Sequence, residues 1–189
     1  LLDHQLRTGI EAIDLRLVEM ASDQMLGPHA SLLMSAPQMT YPTSAEATAA
    51  LTRYAQVPRM LGQALDRFRD GLVAGRTPAA AVIARSINSL EQYLATSFDD
   101  DPFLAAGIPT EPDGSTWDGA DEWRSDAMAL VRDVIRPSFA MYLGVLRDEL
   151  APTGRDDEHV FFFNDTATTE IYTALVRAHT TLERSPQEL

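Results

Sequence analysis

An all-helical fold is indicated most directly by residues 57–78, which read VPRMLGQALDRFRDGLVAGRTP. The apolar residues of this stretch recur every three or four positions and therefore share one face of a helix; they are Leu61, Leu65, Phe68 and Leu72. Proline is tolerated in the first turn of a helix, and glycine commonly follows its last residue. The stretch therefore predicts a helix over about 58–75, and its Thr-Pro ending predicts the start of the next one.

The same periodicity and the same start and stop signals extend in both directions along the chain. The inward faces that they predict include Ile83 and Leu90 in the helix after Pro78, and Phe139 and Tyr142 in the helix after Asp121. Thr43 and Glu46 have the spacing of a capping box, and Pro137 is expected to kink or split its helix. Between the helices we expect an irregular connection over 30–42 and an acidic loop over 99–120. The sequence predicts an all-α, multi-helix array without internal repeats. Its predicted helices cover about 1–20, 43–55, 58–75, 78–98, 121–150 and 169–182.

The composition excludes several classes of function. The chain has 189 residues, a net charge of −13, no cysteine and 15 basic residues, all of them arginine. Disulfides, cysteine-ligated metals and thiol nucleophiles are therefore excluded. Nucleic-acid binding is not expected, because phosphate contacts need a basic surface. No apolar run is long enough to span a membrane, and we expect a cytoplasmic protein.

No complete active site is found among the polar residues. The four histidines, which are His4, His29, His159 and His179, do not have the spacing of metal ligands on a helix. Asp99–Asp101 resembles the acids that bind magnesium diphosphate in helical isoprenoid enzymes, but Phe103 stands where a further carboxylate is needed. Nucleophile-elbow, dinucleotide-binding and Walker motifs are missing. We therefore assign no catalytic, cofactor-binding or metal-binding residue to this chain.

Some single residues leave two interpretations open. Arg76, Arg85 and Arg136 could each bind a ligand carboxylate, although a structural ion pair is favoured for each. Tyr41 lies in a predicted extended segment whose backbone could pair with a ligand strand. Packing of Tyr41 against the following helix is the favoured interpretation.

A set of short motifs makes residues 31–181 similar to a known family. The motifs are Leu32-Leu33-Met34, Tyr41-Pro42, Val57-Pro58-Arg59, the block at 69–78, Asp101-Pro102-Phe103, the block at 134–139, Tyr172, the block at 178–181 and the block at 185–189. In this order and spacing they resemble the first half of the bacterial family catalogued as domain of unknown function 885.

This resemblance implies a function for a longer protein. The family is similar to zincin-type metallopeptidases, in which zinc activates water and a glutamate acts as base. The resemblance places those motifs beyond Leu189, so zinc and a peptide or small amide substrate are expected only in the full-length protein. The start at Leu1 without methionine and the helix cap at Ser185 are also typical of a fragment. We therefore expect an N-terminal partial domain that forms a wall of the substrate cleft.

Two other functions stay open at this stage, and the oligomeric state is not indicated. One is a non-catalytic helical binding or scaffold module. The other is a small helical enzyme that uses carboxylates such as Asp99–Asp101.

Residues 160–173 depart from the family pattern. They read VFFFNDTATTEIYT, which resembles the translation of a common sequencing adapter. Three consecutive phenylalanines beside an acidic loop also fit no helical stripe. We expect this segment not to be native; the alternative is a short buried strand over Val160–Phe163.

Overall fold

The computed structural model describes residues 2–109 and 117–156. Within these residues it confirms the all-α prediction, because the only β pairing there consists of two single-residue parallel bridges, Thr40 with Gly107 and Ala79 with Arg155. The α-helices in chain order are α1 (Leu2–Asp14), α2 (Pro28–Ser35), α3 (Ser44–Tyr54), α4 (Val57–Val73), α5 (Ala80–Ala95), α6 (Ala120–Leu130) and α7 (Arg136–Val145).

The chain divides into two compact units, of which one consists of residues 16–156 and the other includes α1. Helix α1 is amphipathic and none of its residues is buried. Its apolar stripe is formed by Leu2, Leu6, Ile10 and Ile13, each more than half exposed. The number of domains in the native protein stays a prediction.

The main core of the 16–156 unit lies where α4 and α5 pack against α7. Its fully buried large side chains include Leu61, Phe68, Ile83, Leu90, Phe139 and Tyr142. These residues are the predicted inward faces of their helices, so the 3.6-residue period located the core correctly.

A second, smaller core lies between α3 and α6. It is built from Tyr41, Ala47, Ala50, Ala106, Trp123 and Ala127. The small alanine side chains allow the two helices to approach closely. The predicted capping box is present at the start of α3: the Thr43 backbone N–H donates to Glu46 Oε2 at 3.0 Å, and the Glu46 N–H donates to Thr43 Oγ1 at 3.3 Å.

The prediction of one helix over 1–20 is wrong at its C-terminal end. Helix α1 ends at Asp14, Arg16 adopts a left-handed conformation with φ 55°, and Leu17–Met20 form a short 3₁₀ helix. This break turns the side chain of Glu19 into the 16–156 unit, where it is fully buried. A tertiary ion pair described below accompanies the change of direction, and helical periodicity contains no signal for it.

The prediction of an irregular connection over 30–42 is also wrong in its first half. Residues Pro28–Ser35 form α2, with Pro28 in the first turn, and Ala36–Gln38 continue as a 3₁₀ turn. Helix α2 is apolar on several sides and contributes buried and partly buried residues to the core. Its weak amphipathic pattern therefore concealed it at the sequence level.

The long predicted helix over 121–150 is divided as Pro137 indicated. Between α6 and α7 the backbone forms a π-helical turn, Val131–Ile135, and a second π turn follows at Leu146–Leu150. Pro137 has no N–H to donate to the preceding turn, and a wider turn accommodates that loss. The predicted inward face nevertheless continues through both π turns, because Val131, Ile135 and Leu146 are fully buried.

The other predicted helices are present with shifted ends. Helix α5 begins at Ala80 rather than at Pro78, because Ala79 and its neighbours pair with Arg155 through two backbone hydrogen bonds. The predicted helix at 169–182 and the segment 160–173 lie outside the described residues. In the part of the chain that the structure describes, no helix is both long and apolar enough to cross a membrane.

Candidate binding groove

A surface groove of about 430 Å³ lies between α6 and the non-helical segment that follows Pro102. Apolar side chains form most of its lining, and one acid and one base stand among them. The lining residues are Asp99, Leu104, Ala106, Gly107, Ile108, Trp123, Arg124, Ala127 and Met128. A cavity of this size is within the range of small-molecule sites.

The non-helical wall of the groove is held in place by Asp101. Its Oδ1 accepts a 3.1 Å hydrogen bond from the Phe103 N–H and caps the short 3₁₀ turn at Pro102–Leu104. Beyond this turn the chain is non-helical, and Gly107 pairs with Thr40 in a parallel bridge. This wall is therefore fixed at one end by a buried carboxylate and at the other by backbone pairing.

The helical wall is anchored through Trp123. The indole Nε1–H donates to the carbonyl oxygen of Ala47 at 2.7 Å, and the ring centroid lies 6.0 Å from that of Tyr41. Tyr41 itself donates to or accepts from the Tyr54 hydroxyl at 3.0 Å. The favoured interpretation of Tyr41 as a packing residue against the following helix is thus correct.

The two charged residues of the groove differ in their surroundings. Arg124 Nη1 lies 3.5 Å from Asp121 Oδ1 on the same helix. Asp99 is exposed, and among the described residues no side chain pairs with it. The groove therefore presents one uncompensated carboxylate at its edge.

The three acids of the Asp99–Asp101 run do not act together. Asp99 and Asp100 are exposed, whereas Asp101 is fully buried. Arg136 Nε donates to Asp101 Oδ2 at 2.9 Å, and the Tyr93 hydroxyl donates to the same oxygen at 3.1 Å. Burial and the charge of Asp101 raise the pKa of Tyr93. Asp101 is therefore a structural acid, and the run does not form a shared carboxylate site.

Arg136 completes this buried polar network. Its Nη2 donates to the Thr96 carbonyl oxygen at 2.7 Å, and its guanidinium carbon lies 5.6 Å from the ring centroid of Tyr93 and 5.8 Å from that of Phe98. The structural ion pair favoured from the sequence is present. It joins α7 to the end of α5 and to the start of the groove wall.

Arg76 forms a second buried ion pair. Its Nε donates to Oε2 of Glu19 at 2.7 Å, and Arg16 Nε lies 2.5 Å from Oε1 of the same carboxylate. Arg85, the third arginine singled out, lies exposed on α5. Two of the three arginines are thus occupied by carboxylates of this chain.

His29 is a buried residue that the sequence did not distinguish. It is fully buried, neither ring nitrogen has a hydrogen-bond partner in the described part of the chain, and its ring centroid lies 5.4 Å from that of Tyr142. Burial lowers the pKa of His29 to about 4, opposed by the negative charge of Asp23. His4 is exposed, and His159 and His179 lie outside the described residues.

The residues 2–109 and 117–156 contain no group of three or more histidine, aspartate or glutamate side chains arranged to hold a metal ion. These residues therefore do not fit a zinc site, and no chemical step through zinc is derived from them.

Sequence reasoning missed Glu19, His29 and the groove itself. Glu19 falls beside an apolar stripe, where a charged residue usually remains in water. The groove depends on two segments that are distant in sequence. The acidic run at 99–101 was a partial signal for the groove, because its first residue, Asp99, is part of the groove lining.

In a comparison with protein-family models, residues 1–189 match the family described as "Bacterial protein of unknown function (DUF885)". No curated protein and no solved structure is significantly similar to the chain.

Proposed function

The chain belongs to the bacterial DUF885 family, and from that premise we propose that it forms a helical wall of the substrate cleft in a zinc-dependent, peptidase-like hydrolase. In this proposal the zinc-binding motif and the catalytic glutamate are supplied by a part of the protein outside these 189 residues. The substrate is a peptide or a small amide, and the 189-residue chain alone is inactive.

The observation that carries the proposal is the position of the groove relative to the shared motifs. Asp101, Phe103 and Arg136 belong to the motifs on which the resemblance rests, and they interact inside the bundle. Their combined effect is to hold the non-helical segment at residues 105–109 beside α6. These motif residues hold a surface segment in place and do not present reactive groups. Residues with that role are expected in the wall of a substrate cleft.

The groove also has the composition of a substrate contact surface. Leu104, Ile108 and Met128 offer apolar area, and the neighbouring non-helical backbone at Gly107, which forms a single β bridge, offers a place where a peptide can align. Apolar pockets with a few polar groups are typical of sites that orient ligands. These features support a substrate-binding role for the 189-residue chain. In the proposal, the catalytic groups are supplied by the rest of the protein.

The experiment is to express the full reading frame from the native gene. We expect a His-Glu helix and a later histidine in the continuation, stoichiometric zinc in the purified protein and peptide hydrolysis that a chelator abolishes. A natural stop codon directly after codon 189 would contradict the proposal. Full-length protein that binds no zinc and hydrolyses no peptide would contradict it as well.

A variant pair connects the groove to catalysis. Met128 is 39% exposed in the groove and Met141 is 51% exposed on α7. In the full-length enzyme we expect Met128→Arg to raise KM by about tenfold with a smaller effect on kcat, because the groove contributes to substrate binding rather than to the reaction. Met141→Arg, with the same chemical change away from the groove, is the control.

The main alternative is a non-catalytic binding module, which the same groove would serve. Zinc content and hydrolysis by the full-length protein distinguish it from the proposed hydrolase. The carboxylate-based enzyme has less support, because Asp101 is withdrawn into the core by Arg136. A cytoplasmic location stays a prediction, to be tested by cell fractionation with an antibody against the native protein.

A further inference from the structure

We propose that the groove binds the cationic side chain of an extended peptide, an arginine or a lysine, with its methylene stem against the apolar lining and its charge near Asp99. The inference rests on the proposed function, because it specifies the class of peptide that the cleft wall accepts. The ligand class follows from the shape, the apolar lining and the charge of the groove.

The shape of the groove suits one long side chain and the backbone on either side of it. Its volume of about 430 Å³ exceeds what a single small side chain fills. The lining by Leu104, Ile108 and Met128 matches the methylene stem of arginine or lysine, which commonly packs on apolar surface while its charged end reaches water.

Trp123 contributes only a small apolar surface to the groove. Its side chain is 4% exposed, and its only hydrogen-bond donor is already used by the Ala47 carbonyl. Ala47 and Tyr41 hold the ring within the smaller core. Trp123 therefore adds to the apolar lining for a methylene stem, and recognition of the cation depends on the charge at the edge of the groove.

The charge at the edge of the groove points in the same direction. Asp99 has no side-chain partner among the described residues, so it can accept a cationic ligand without breaking an existing pair. Arg124 is drawn toward Asp121. Between residues 99 and 126 the sequence has nine acids and one base. Even with Asp101 neutralised by Arg136, this stretch keeps a negative net charge, which attracts cationic peptides and repels anionic ones.

The neighbouring backbone provides the direction for an extended ligand. A Cβ atom added at Gly107 would meet no atom of residues 2–109 and 117–156 within 4 Å, so the described part of the chain leaves space beside this backbone. The segment is non-helical and is paired with Thr40 by a single parallel bridge. An extended peptide can follow such a segment while one of its side chains enters the groove.

The test uses the 189-residue chain and two fluorescein-labelled pentapeptides, Gly-Ala-Arg-Ala-Gly and Gly-Ala-Glu-Ala-Gly, each with blocked termini. Fluorescence anisotropy at low salt is expected to give a Kd about tenfold lower for the arginine peptide, and added salt is expected to weaken its binding. Equal affinities for the two peptides, or no binding of the arginine peptide at millimolar protein, would overturn the proposal.

Two variant pairs separate the groove from general charge attraction. Asp99→Asn is expected to weaken binding of the arginine peptide by about fivefold, whereas Asp148→Asn, which removes the same charge from an exposed position on the π turn after α7, changes it less than about twofold. Met128→Arg is expected to abolish binding and Met141→Arg to preserve it. Equal losses within either pair would overturn the assignment to the groove.

These measurements require no catalysis, so they can fail independently of the proposed function. A full-length protein without zinc or hydrolysis would contradict the hydrolase and leave the cation-binding groove standing. Indifference to the arginine side chain would contradict the groove proposal and leave the cleft-wall role intact.

Discussion

Arg76 donates a hydrogen bond of 2.7 Å from Nε to Oε2 of Glu19, whose side chain is fully buried. The pair joins the 3₁₀ helix after α1 to the turn that follows α4, in which Arg76 is the third residue after Val73. Gly71 leaves room for Glu19 to approach, and Gly75, at φ 71°, turns the chain so that Arg76 meets the carboxylate. The block at residues 69–78, one of the motifs that the chain shares with its family, thus forms the binding site for one carboxylate of the same chain.

Removing the arginine of this pair is expected to be strongly destabilising. Arg76→Gln leaves the buried Glu19 with the partly exposed Arg16 as its remaining partner, and an undercompensated buried charge costs about 3–5 kcal/mol. Urea unfolding followed by circular dichroism measures the loss in the free energy of unfolding. The control is Arg69→Gln, which loses a surface pair with Glu149 and is expected to cost at most about 1 kcal/mol. Comparable losses in the two variants would contradict the burial argument.

The two glycines of α4 should respond in opposite directions to alanine. At Gly71 an added Cβ would lie 2.8 Å from the Arg76 carbonyl oxygen and 3.0 Å from Glu19 Cβ, so Gly71→Ala is expected to cost about 1–3 kcal/mol. At Gly62 no atom of the residues that the structure describes would lie within 4 Å of an added Cβ, and Gly62→Ala is expected to gain up to about 1 kcal/mol from helix propensity. Thermal unfolding of both variants against the parent is the measurement. A stabilised Gly71→Ala variant would show that Glu19 does not dock against α4.

The buried histidine makes the stability of the 16–156 unit depend on pH. Burial lowers the pKa of His29 to about 4, whereas an unfolded histidine titrates near 6.5. Below pH 6.5 the unfolded chain therefore takes up a proton that the folded chain does not. The free energy of unfolding should fall by about 3 kcal/mol as the pH decreases from 6.5 to 4.

His29→Leu is expected to remove that part of the pH dependence. Urea titrations at several pH values between 4 and 7 compare it with the parent and with His4→Gln, a change at an exposed histidine. An unchanged slope in the His29→Leu variant would contradict the assignment of the effect to His29.

The Asp101 network should respond in two distinct steps. Asp101→Asn removes the charge that Arg136 compensates and is expected to cost about 3–5 kcal/mol. Tyr93→Phe removes one hydrogen bond to the same carboxylate and leaves the ion pair intact, so a cost of about 1–2 kcal/mol is expected. Chemical denaturation gives both values. A Tyr93→Phe variant as unstable as Asp101→Asn would mean that the hydroxyl, rather than the ion pair, holds the network together.

The residue order alone was sufficient to predict the all-α class and the inward faces of the longer helices, because burial of one helical face leaves a 3.6-residue period. The inward positions of Leu61 and Phe68 on α4 and of Ile83 on α5 follow from it. The local start of α3 was also predictable, since a capping box involves residues only three positions apart.

Only the tertiary structure decided where the polar residues go. Glu19 and Arg76 are separated by 57 positions, Asp101 and Arg136 by 35, and no local pattern couples such residues. The groove could not be predicted from the sequence for the same reason, because its two walls come from α6 and from the segment before residue 110. Burial of a charge depends on a partner brought from elsewhere in the chain, whereas a helix depends on neighbours within four residues.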